Sequence, residues 1–135
     1  MEQLRLKPEV KVKWLEALRS GHYDQGSGWL RGEDNTFCCL GVLCDVYDKQ
    51  VVANGGKSEW KHSTWSSIRK GFIESNFTAV PPDEVMEWAT ENYLQPDGKT
   101  LGPSFDYSGG DNCLTSDNDN GKSFNEIANI IEKEF

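Results

Sequence analysis

No apolar run in this chain approaches the roughly 20 consecutive residues that a membrane-spanning helix requires, so no membrane partner is expected. The opening stretch MEQLRLKPEVKVKW lacks the continuous apolar segment of a signal peptide. The expected compartment is therefore the cytoplasm, where thiols stay reduced. Histidine is scarce: His22 and His62 are the two, and neither has neighbours that fix a catalytic dyad. No Gly-x-Ser-x-Gly, Walker loop or His-Glu-x-x-His occurs, and no cofactor is expected. Basic charge is short as well, with 14 Lys and Arg against 22 Asp and Glu for a net charge of −8. An extended nucleic-acid partner normally meets a basic face, which this balance argues against. A small anionic ligand on a local basic patch stays open, as does an acidic surface that meets a basic protein.

What is present suits one α+β domain over residues 1–135, about four helices on a small antiparallel sheet or hairpin. Leu6, Val10, Trp14 and Leu18 recur every four residues in KPEVKVKWLEALRSG, after a proline suited to a first helical turn. WLR and TFCC flank the turn-rich GEDN, which predicts a short hairpin. Residues 39–48, CLGVLCDVYD, are apolar almost all round and predict a helix in the middle of the core. Gly41 costs up to about 1 kcal/mol there relative to Ala, so close packing is its expected reason. PPDEVMEWATENY predicts another helix, burying Val85, Met86, Trp88 and Ala89. Residues 94–116 predict turns and one or two short strands, and SDNDNG a turn. A last helix should follow, capped by Ser123 and Glu126. The middle, 57–78, has no clear period; part of it is expected to be helical near 64–70.

Three of the four cysteines fall in FCCLGVLCD, residues 37–45. Neighbours Cys38 and Cys39 point to opposite faces of a strand, and Cys39-x4-Cys44 is not the short knuckle of zinc sites. Free cysteine is among the most commonly buried residues, so packing is preferred over a reactive thiol or a metal. SDNDNG fits the start of a calcium loop, but Ile127 stands where the bidentate acid is needed, and no metal is expected.

The basic-aromatic stretch KSEWKHSTWSSIRKGF is the best ligand-contact segment. Trp60 and Trp65 offer flat faces, while Lys57, Lys61, Arg69 and Lys70 can hold phosphates. Tryptophans that merely anchor a surface segment explain the pattern equally well. Trp29 and Arg31 face the same choice. Asn118 and Asp119 lie in a polar loop before a helix, where backbone N–H groups can receive an anion. Against the basic patch stands an acidic half: residues 74–120 hold ten acids and Lys99 alone.

The strings KWLEALRSGHYDQGSGWLR, FCCLGVLCDVY, PPDEVMEWA and NDNGKSFNEIANIIE occur in that order. Together they resemble a widespread family of small proteins encoded by bacteriophages and prophages, over roughly 13–49 and 80–133. Where members tend to carry Leu before the Asn-Asp pair, this chain has Asp117. The family mostly carries no assigned chemistry. The resemblance implies an anti-defence protein of the infected bacterial cell. The first expectation is a sponge that holds a small nucleotide-type immune signal without a catalyst. Its ligand residues would be Trp29, Arg31, Trp60, Trp65, Arg69, Lys70, Asn118 and Asp119. A sponge of this kind admits a homodimer. The alternatives are an acidic inhibitor of a host defence or nucleic-acid-binding protein, and a signal-degrading enzyme.

Overall fold

The computed structural model describes residues 3–32, 34–58, 60–61, 64–65, 80–93 and 104–135. Helix α1 spans Pro8–Arg19, with proline in its first turn where no N–H is needed. Val10, Trp14, Leu15 and Leu18 form its buried face. That face packs against the last helix, α5 (Phe124–Glu134), and against α2 (Cys39–Ala53). Trp14 is fully buried, meets Phe105 edge-on at 5.2 Å and donates its indole N–H to the Cys39 carbonyl at 3.0 Å. The ring therefore fills volume without stranding its polar atom.

Helix α2 is the central element. Every residue from Cys39 to Asp45 is buried, as an apolar run without a polar stripe requires. It runs to Ala53, five residues past the expected end at 48. Asp48 does not stop it; Asn54 and Gly55, at φ 92°, do. Gly41 has the close neighbour that its cost demanded. A Cβ there would lie 1.7 Å from the Leu30 carbonyl oxygen.

The expected hairpin at Trp29–Cys39 is reduced to a single antiparallel pair, Arg31 opposite Phe37, closing a loop. Phe37 also makes one parallel bridge with Gln25. The turn closes through Gly32 N–H to the Thr36 carbonyl at 2.7 Å. The physical reason is the start of α2: Cys38 is already its N-cap, with Sγ accepting from Gly41 N–H at 3.3 Å. The pairing therefore stops at one bridge.

Strands β1 (Trp60–Lys61) and β2 (Thr64–Trp65) pair antiparallel, Trp60 opposite Trp65. Helix is thus replaced by strand at 64–65, and 66–70 lie outside the described residues. Helix α3 spans Asp83–Ala89 and buries Val85, Met86 and Ala89, while Trp88 packs edge-on against Tyr47 at 5.1 Å. It ends at Thr90, which turns extended, bridges Leu6 and bonds the Met86 carbonyl through its hydroxyl at 2.7 Å. Strands β3 (Asp106–Tyr107) and β4 (Asn112–Cys113) form the C-terminal hairpin across a 3-10 turn.

The turn expected at 116–121 is mostly a short helix, α4, Leu114–Asp119. Leu114 is fully buried, and Asp117 is sequestered with the Tyr107 hydroxyl bonded to its carboxylate. The turn comes later, at Asn120–Gly121, before α5. The capping box of Ser123 and Glu126 is present with both bonds. The chain is thus a single α+β domain, with five α-helices and two small antiparallel strand pairs among the described residues.

Candidate functional site

Asp45 is an acid in an otherwise apolar helix, 8% exposed, and buried carboxylates demand partners. It has three. The Tyr23 hydroxyl donates to Oδ2, the Trp60 indole N–H donates to Oδ1 at 3.0 Å, and Lys49 Nζ lies 3.4 Å from Oδ2. Lys49 sits one turn beyond Asp45 on α2, the spacing that brings helix side chains together. It also donates to the Tyr23 oxygen at 3.1 Å, with Nζ 5.1 Å from the centre of that ring. Burial, then the Asp45 carboxylate, push the Tyr23 phenol above its ordinary value; Lys49 works the other way. Asp48, one turn-face away, accepts from Ser58 Oγ at 2.8 Å and so ties down the start of β1.

Beside this cluster lies an aromatic platform. Phe37 meets Tyr23 edge-on at 5.0 Å and Trp60 at 6.2 Å. The Arg31 guanidinium rests over both rings, 5.2 Å from Phe37 and 5.5 Å from Trp60. Its Nε and Nη2 donate to Asn35 Oδ1 at 3.0 and 2.6 Å. Asn35 holds φ 65°, which this residue type tolerates and which aims its side chain back at Arg31. Among the described residues no carboxylate pairs with Arg31. Among the described residues, then, the Arg31 charge meets ring faces and no carboxylate.

Of the sequence-derived site residues, Arg31 and Trp60 are brought together. Trp29 is 41% exposed on the same loop. Trp65 stands opposite Trp60 in the β1–β2 register, with its side chain outside the description; Arg69 and Lys70 lie wholly outside the described residues. Asn118 and Asp119 are elsewhere. Asn118 is buried on α4, accepting from Cys39 N–H and the Gln25 amide and donating to the Gly26 carbonyl. Asp119 caps Gly28 N–H at 3.0 Å. Both are spent on holding the 25–28 loop. Tyr23, Phe37, Asp45 and Lys49 were missed. One signal was available: Asp45 is an acid inside a helix read as core, and a buried acid needs partners.

The cysteines are interior, as expected. Cys38, Cys39 and Cys44 are buried and Cys113 is partly exposed. Burial pushes the Cys38 thiol up to about 11 and those of Cys39 and Cys44 well above the ordinary range. A thiol reagent added to the native protein should therefore modify Cys113 first, with the other three following only on unfolding. Fast modification of Cys39 or Cys44 in the native state would contradict this, and mass mapping of the labelled sites decides. Among the described residues no group of three or more His, Cys, Asp or Glu converges as a metal site would require. Nor is any helix among them long and apolar enough to cross a membrane.

A family model described as Domain of unknown function (DUF8296) matches residues 6–135. The chain belongs to the DUF8296 family. The DUF8296 match takes in every helix described above, along with the platform and the Asp45 cluster. No curated protein matches the chain, and no solved structure does.

Proposed function

We propose that this DUF8296 protein is a non-catalytic binding protein for a small nucleotide-type ligand, held against Arg31 and Trp60. In this reading it is phage-encoded, acts in the cytoplasm of the infected bacterial cell, and sequesters a nucleotide immune signal. The observation that carries the reading is the Arg31 guanidinium seated on two aromatic rings without a carboxylate partner among the described residues. A base can stack on such a surface, and a guanidinium pairs with phosphate in bidentate geometry. The state of Tyr23 speaks against that residue as a general base. Its proton is committed to Asp45 and its pKa is raised, the reverse of what a general base near neutral pH needs.

Calorimetry against a panel of cyclic and ADP-ribose-type nucleotides tests the reading. Saturable binding without turnover of the nucleotide is expected. Arg31→Ala should weaken it by about 1.5–3 kcal/mol, the worth of a charge-assisted hydrogen bond, with far-UV circular dichroism unchanged. Silence across the whole panel would remove the reading, and hydrolysis of a panel member would replace it with an enzyme.

A further inference from the structure

Next to the platform an open groove of about 510 Å3 runs between α1 and α2. Half-buried Ala17 and Val46 line it, together with exposed Ala53, Lys13 and Lys49 and with Tyr23. We propose that groove and platform are two halves of one site, and that the ligand is a dinucleotide whose second half lies in the groove. This rests on the nucleotide reading given above and narrows its ligand class.

Three observations carry it. The halves share a wall. Tyr23 lines the groove and packs on Phe37, the ring that bears Arg31. Asp45 joins them a second time, with the groove cation Lys49 on one carboxylate oxygen and the platform ring Trp60 on the other. The groove also has the right chemistry for a nucleoside phosphate. Ala17 and Val46 offer an apolar face to a sugar or base. Among the described residues Lys13 Nζ bonds the neutral Gln50 Oε1, at 3.2 Å, and Lys49 is 69% exposed despite its contact with Asp45. Glu16 and His22 also face the groove, and Asp45 offsets Lys49, so Lys13 is the groove cation without a carboxylate partner among the described residues. Finally, the volume falls within the range of roughly 300–1,000 Å3 typical of small-molecule sites. A mononucleotide on the platform would leave the groove to solvent.

The test is calorimetry with matched probes: adenosine and guanosine 5′-monophosphates against the cyclic and linear dinucleotides of the same bases. The dinucleotides should bind at least ten-fold more tightly than the monophosphates. Lys13→Ala should weaken dinucleotide binding ten-fold or more and leave monophosphate binding within two-fold. Ala53→Trp, at an exposed position on the groove, should have the same selective effect by occupying the space, and circular dichroism checks that it folds. Arg31→Ala should weaken both classes. Equal affinity for the two classes, or groove variants without effect on the dinucleotides, would overturn the two-half site while leaving the platform standing. Absence of binding by every probe would remove both.

Discussion

Replacing Gly41 by alanine should destabilise the chain by about 3 kcal/mol or more, at the upper end of what overpacking costs. The change is small and, in an exposed helix, would be favourable by about 1 kcal/mol. Here the added carbon would lie 1.7 Å from the Leu30 carbonyl oxygen, 2.6 Å from its carbon and 3.1 Å from its Cα. All three are backbone atoms, so no flexible side chain can swing aside. Relief requires α2 to move away from the Leu30 segment. That movement would disturb Cys38 N–H, which donates to the Leu30 carbonyl at 3.3 Å, and the neighbouring residues that carry Arg31 and Phe37. Urea unfolding followed by tryptophan fluorescence measures the effect. The sign decides: an alanine variant as stable as the parent, or more so, would mean that the helix and the loop are not in contact here.

Asn118→Ala is expected to cost a similar amount, about 3 kcal/mol, for a different reason. Asn118 is 3% exposed, and its amide oxygen and nitrogen both have partners. Oδ1 accepts from Cys39 N–H at 3.1 Å and from Gln25 Nε2 at 2.9 Å; Nδ2 donates to the Gly26 carbonyl at 2.7 Å. Cys39 N–H belongs to the first turn of α2, where no helical carbonyl is available to it. Alanine leaves that N–H and the Gly26 carbonyl without this partner, and stranded buried groups cost about 1–3 kcal/mol each. The same unfolding assay measures the loss. Amide exchange adds a local readout, because Cys39 N–H should exchange far faster in the variant. A variant with parental stability and a protected Cys39 amide would refute the assignment. A loss of ligand binding with unchanged stability would instead return Asn118 to the ligand set expected from the sequence.

Much of the helical framework was legible because its signals are local. Trp14 and Leu18 follow Val10 at helical spacing, and Ser123 and Glu126 form a capping box that needs only its own four residues. The thiols of 38–44 were legible as core because their neighbours are apolar all round. The hairpin at 29–39 shrinks to one bridge for a reason that is also local but competing. TFCC has strand-like residues, yet Cys38 serves as the cap of α2, and the helix takes the chain that a strand would use. At 116–119 polar, turn-forming residues sit in a helix because Leu114 and Asp117 are drawn into the interior, Asp117 by the Tyr107 hydroxyl. Tertiary burial overrode propensity there.

Half of the described platform could be named from composition: Arg31 and Trp60 are a cation and an aromatic in polar surroundings. Their meeting place could not, because it depends on Asp45, 15 residues before Trp60, and Tyr23, a further 22 back. By itself the sequence determined the amphipathic α1 and α5, the buried centre of α2 and the acidic balance of the whole. Each follows from residue spacing along a single element or from simple counting. Only the tertiary structure decided that Gly41 admits the Leu30 backbone, that Asn118 bonds the first turn of α2, and that Asp45 gathers Tyr23, Lys49 and Trp60. Those outcomes turn on unpaired polar groups and excluded volume between segments far apart in the chain, and such pairings are fixed only when the elements pack.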